Sequence, residues 1–144
     1  MTQNAFAYHA TQAYRGAAVA VPPLRAVVML LNGAITFLQK SLEAQEARRF
    51  EAAHEHMMRA TAILRGLSHH LDSNRGGAVT ERLFRTYNAL IMACLRAYGR
   101  PQMRQSYLRI IASLVELRDA WDQVDTHKAR SARKSGEADS AVRR

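Results

Sequence analysis

The chain is poor in everything that marks a strand, a disulfide or a membrane span. Aromatic side chains make up only 7% of its 144 residues, and the β-branched runs that favour pleated strands are missing. Only three prolines interrupt it, so little stands in the way of long helices. The single cysteine, Cys94, has no internal disulfide partner, which points to a reducing compartment. The longest strongly apolar run, 26–31, is far shorter than the roughly 20 residues that cross a bilayer. Residues 1–12 lack the basic start and continuous apolar stretch of a secretory signal. A cytoplasmic protein without membrane insertion is expected.

What is present favours helix. Ala, Leu, Arg, Met, Gln and Glu dominate, and these are good helix formers. The length suits one domain, and 48% hydrophobic residues give it material for a core. Pro22 and Pro23 can open a helix, because proline fits the first turn where the amide has no partner. Leu24, Val28, Leu31, Ile35, Leu38 and Leu42 then recur at four and three, on one face. Leu30 and Phe37 lie on a neighbouring strip. Phe50, Ala53, Met57, Ala60, Leu64, Leu67 and Leu71 repeat the pattern without a miss. The step from Leu42 to Phe50 puts these two stripes roughly 80° out of phase. The chain therefore either continues as a helix with a rotated face or turns near Gln45. No Gly or Pro marks a turn there; a turn is preferred, because one helix of that length would be unusual.

The run 72–77, Asp-Ser-Asn-Arg-Gly-Gly, is a strong stop, and Thr80 or a neighbour can cap the next helix. Leu83, Phe84, Tyr87, Leu90, Ile91, Cys94, Leu95 and Tyr98 make this third helix apolar on two adjoining strips. Gly99-Arg100-Pro101 separates it from a fourth, with Met103, Tyr107, Ile110, Leu114, Leu117, Trp121 and Val124 in register. The expectation is an all-α, antiparallel four-helix bundle over 22–124. A mobile N-terminal segment or short helix precedes it over 1–21. A disordered basic tail comes after it over 125–144, where almost no large apolar side chain offsets ordering entropy. The first and third helices are more apolar than one seam requires. That surplus fits either a wide core or a groove for a partner.

No chemistry stands out. Glu51 and His54 form one Glu-x-x-His, the spacing of di-iron bundles, but a second pair is absent and both flank core positions. His54, His56, His69 and His70 have no cysteine companions at zinc spacing. Cys94 sits on an apolar face, where a buried structural thiol is the default. Gly76-Gly77 follows no strand and precedes no Gly-Lys-Ser/Thr. The protein is read as a non-enzyme with no catalytic residue, metal or cofactor. The net charge is +9, of which the tail carries +3, so the excess is spread along the chain. Arg48, Arg49, Arg82, Arg85, Arg96, Arg100, Arg104 and Arg109 could line a basic surface, yet no helix-turn-helix spacing occurs. Nucleic-acid recognition is not expected. A basic helical adaptor for nucleic acid or an acidic protein is kept as the alternative function.

The run Leu30-Leu31-Asn32-Gly33-Ala34-Ile35 resembles the Leu-Tyr-Asp/Asn-Gly-Ala-Ile segment of the flagellar secretion chaperones of the FliS family. Val21-Pro22-Pro23-Leu24 is similar to the segment that opens that family's first long helix. Arg59-Ala60 through Leu67, then Leu71-Asp72 and Gly76-Gly77, match a second block. Leu83 with Tyr87 matches a third, and Glu116-Leu117-Arg118-Asp119-Ala120-Trp121 resembles the family's last-helix ending. The resemblance covers about 8–124; the basic tail is outside it, and Leu31 stands where the family carries tyrosine.

This resemblance implies an export chaperone in the bacterial cytosol. It would bind the disordered C-terminal segment of flagellin, prevent premature polymerisation and assist delivery to the export gate. Amphipathic clients of this kind lay helices into apolar grooves. The resemblance further implies that Tyr14, with Tyr8, belongs to a movable N-terminal cover. Leu30, Leu31, Ile35 and Phe37 would meet the client on the first helix, and Tyr87, Ile91 and Leu95 on the third. Asn32 would hydrogen-bond client backbone. Each of the apolar residues also has a reading as plain core. A homodimer through the same apolar surface is compatible with the sequence.

Overall fold

Proline at a helical first turn has no amide to leave unpaired, and α1 begins at Pro23 and runs Pro23–Glu46. Then come α2 (Phe50–His69), α3 (Gly77–Ala97) and α4 (Met103–Val142). The computed structural model describes residues 9, 12–14, 23–72, 74 and 76–142, and no strand occurs among them. The α1 stripe is buried throughout, from Leu24 to Leu42, as are Met57, Leu64 and Leu67 of α2. Tyr87 and Cys94 of α3 and Tyr107, Leu114 and Trp121 of α4 complete one core.

The helices form a ring in chain order, with α1 across from α3 and α2 across from α4. Gly33 lies beside Ile63, Phe37 on His56, and Ser41 against Ala53. Asn88 reaches Ser68, and Tyr98, just past α3, meets His54 edge to face. Asn32 meets Arg118 and Glu46 meets Arg104. In each of these three pairs of helices the partner numbers fall on one as they rise on the other.

The chain does turn after α1. Arg49 N–H donates to the Ala44 carbonyl at 2.8 Å and Arg48 N–H to the Gln45 carbonyl at 3.1 Å, the paired bonds of a left-handed helix stop. Glycine usually occupies its pivot; here Arg48 does, at φ 59°. A left-handed non-glycine residue costs about 1–2 kcal/mol, partly offset on replacement by the greater freedom of unfolded glycine. Arg48→Gly is therefore expected to raise stability by about 1 kcal/mol, read as a higher midpoint in thermal or urea unfolding.

Beside this turn runs a chain of buried polar groups. The Gly99 amide donates to Gln45 Oε1 at 3.1 Å, Gln45 Nε2 donates to Ser41 Oγ at 3.2 Å, and Ser41 Oγ donates to the Ala53 carbonyl at 2.8 Å. It ties the α3–α4 connection to α1 and α2, so the closed end of the ring is fixed by direction as well as by apolar packing.

Three expectations are corrected. Phe50 opens α2 but is exposed; it lies where α1 has already ended, and Arg48 stands over its ring at 5.7 Å. Thr80 is a buried residue within α3, and Gly76 takes the cap position. The tail from 125 is helical rather than disordered, because α4 continues to Val142. Its described side chains are exposed from 126 onward, so packing does not hold it. Ala, Arg, Lys and Glu carry good helix propensity, and elongation from a formed helix avoids the nucleation penalty.

Candidate functional site

Gly76 and the residues around it create a seat for the N-terminal segment. At φ 80°, Gly76 has no room for a Cβ, which would overlap the Thr80 hydroxyl and press on the His9 carbonyl oxygen at 3.3 Å, with Ala13 Cα in contact beside it. The Asp72 amide donates to the Ala13 carbonyl at 2.9 Å. This anchorage points Tyr14 into the ring between α2, α3 and α4. Its hydroxyl donates to the Leu67 carbonyl at 3.2 Å and shares a hydrogen bond of 2.8 Å with the Tyr87 hydroxyl. Its ring meets Trp121 edge to face at 5.7 Å, a favourable aromatic geometry. Tyr14 is only 3% exposed, so a segment outside the four helices fills part of their core.

Burial raises the Tyr14 phenol far above its ordinary value and pushes Tyr87 up to about 12. It raises Tyr107 as well, and pushes the Cys94 thiol up to about 12, so that thiol is neutral and unreactive at neutral pH. A phenol whose folded value is raised leaves stability intact below its unfolded value near 10, and stability falls as pH climbs from there towards about 12. Unfolding midpoints should thus hold from neutral pH to near 9, where the unfolded Cys94 thiol begins to ionise, and drop above it, and Tyr14→Phe combined with Tyr87→Phe should lessen the part of the drop above about 10.

The other sequence-predicted residues divide. Leu31, Ile35, Tyr87 and Ile91 are buried core, so their side chains are not available at the surface. Leu30 and Leu95 are exposed, and Phe37 is half-buried. Asn32 is exposed, but its Oδ1 already accepts from the Arg118 guanidinium at 3.1 Å. Tyr8 lies outside the described residues. Leu30 and Phe37 share the α2-facing flank of α1, where Phe37 stacks on His56 and carries Lys40 and Arg59 at 5.8 Å each. Leu95 lies on the α2-facing flank of α3. Two apolar strips therefore run on either side of α2.

The second strip is larger than Leu95 alone. Phe84, Asn88, Met92 and Leu95 succeed one another at four, four and three, on one flank of α3. Asn88 reaches Ser68 on α2, which fixes the flank. Phe84 is 51% exposed and Met92 and Met58 are also exposed. An open groove of about 740 Å³ begins at Phe84 and is lined by Ser68, His69, Leu71, Gly77, Thr80 and Glu81. The periodicity placed Phe84 on the third helix's two apolar strips, but only the fold shows which strip faces outward.

Among the described residues, no group of three or more His, Cys, Asp or Glu could hold a metal. Glu51 and His54 are exposed, and His54 packs edge to face on Tyr98. No helix among the described residues is long and apolar enough to cross a membrane.

The family model for the flagellar protein FliS matches residues 6–128. The chain belongs to the FliS family. The match takes in the seated N-terminal segment and all of the ring, and it ends close to Asp125, the last α4 residue that is even half-buried. The α4 overhang is thus almost wholly an addition to the FliS pattern. A comparison with curated proteins gives no match. Membership makes the chain a flagellar chaperone and agrees with the all-helical fold.

Proposed function

We propose that this FliS-family protein is a cytoplasmic, non-catalytic export chaperone that holds the C-terminal segment of flagellin, delays its polymerisation and passes it to the export gate. The four-helix ring serves this role as an antiparallel bundle. The observation that carries the reading is the seating of Tyr14: a chain segment from outside the ring already occupies a core position between α2, α3 and α4. A site that accepts one apolar segment can accept another in its place. The N-terminal segment is the resting occupant and flagellin the competing one, with Leu30 and Phe37 on α1 and Phe84, Met92 and Leu95 on α3 extending the contact.

A disordered client loses conformational freedom on binding, at about 2–5 kcal/mol, so it needs a long wrapped path. The strips on both sides of α2 provide one. Co-expression with the C-terminal segment of the host's flagellin should give a stable complex on size exclusion. Failure of the folded protein to retain that segment would sink the proposal.

A further inference from the structure

Between Glu81 and Glu116 the chain carries six arginines and no Asp or Glu. Two of the six are neutralised: Arg85 pairs with Glu81 and Arg104 with Glu46. Three others, Arg96, Arg100 and Arg109, come together on the α3–α4 side of the ring, around a groove of about 430 Å³ lined also by Ala93, Ala97 and Ile110. No carboxylate lines this groove, and none of the three arginines takes part in a salt bridge among the described residues. It lies on the flank of α3 opposite Phe84 and Leu95, with Met92 alone of the α3 strip near its edge.

We infer that this groove is a second docking site, for an acidic helix of a protein partner. Charge complementarity selects the partner's sign, since three guanidinium groups without counter-charges favour carboxylates, which they bind through two parallel N–H donors. The floor selects its form. Ala93 and Ala97 stand one turn apart, so a helix can approach closely, and Ile110, itself buried, closes the floor beneath them. Nucleic acid fits less well: no aromatic residue lines the groove for base stacking.

The test is fluorescence anisotropy on the full chain, with a labelled helix-forming peptide of glutamate and leucine, its glutamine counterpart and a labelled single-stranded oligonucleotide. The glutamate peptide should bind and weaken with added salt. Arg96→Gln, Arg100→Gln and Arg109→Gln together should weaken it at least about tenfold, with helicity by circular dichroism unchanged. Arg130→Gln, Arg133→Gln and Lys134→Gln remove the same charge from the overhang and should leave affinity within about twofold. Equal loss in the two variants, equal binding of the glutamine peptide, or tighter binding of the oligonucleotide would each overturn the inference. Flagellin capture by the groove variant separates the two sites: it should persist even though the acidic peptide is lost.

Discussion

Replacing Phe84 and Leu95 together by aspartate is expected to weaken capture of the flagellin segment by about two to three orders of magnitude, from about 2 kcal/mol at each of two anchor positions. Both side chains are about half exposed, so the ring loses only part of their packing and should keep its helicity, with a modestly lowered unfolding midpoint. The effect falls on binding because each new carboxylate would have to be desolvated under an apolar client face. Leu108→Asp is the matching control: it is an exposed leucine on α4, away from α2. Isothermal titration with all three proteins decides the matter. Equal loss at Leu108 would show that any new surface charge is harmful, and no loss at Phe84 and Leu95 would remove the α3 strip from the client path.

Tyr14→Ala makes the opposite prediction. Truncating a large buried aromatic ring typically costs about 3–5 kcal/mol, and here the loss falls on a segment that can leave while the helices stay. Helicity should be retained and the thermal midpoint lowered. Trp121 is the only tryptophan and touches the Tyr14 ring, so its emission should shift to the red as water enters. Flagellin should bind more tightly, by about tenfold or more, because an occupied site reduces apparent affinity by the fraction of molecules that are open. Weaker binding by Tyr14→Ala would mean that this tyrosine supports the site and does not compete for it.

The sequence pattern located the core stripes well, because burial of one helix face leaves a period that no other arrangement reproduces. It could not locate their borders. Leu31, Ile35, Tyr87 and Ile91 sit beside Leu30 and Leu95 in the same apolar arcs, and only the position of α2 decides which side of each arc is covered. The break after α1 had no signature because Arg48 adopts the backbone that glycine usually supplies. Phe50 kept the period of α2 while falling beyond the end of its neighbour. Composition suggested disorder for the tail, since it lacks an apolar face; helix propensity on an existing helix was enough without one. The pairing of Tyr14 with Tyr87 and Trp121 joins residues from three parts of the chain, which local spacing cannot show. The arginine groove was hidden for the same reason, as its members come from two helices.

The overhang of α4 also changes the outline of the molecule. Its residues from 125 to Val142 extend the axis by about 27 Å at 1.5 Å per residue, comparable to the length of a whole neighbouring helix. A particle with such a spar tumbles more slowly about its short axes than a sphere of equal mass. The last described turns also carry Val142 beyond the ring. A reporter attached at Val142 would therefore stand clear of the ring, reading its encounters without sharing them.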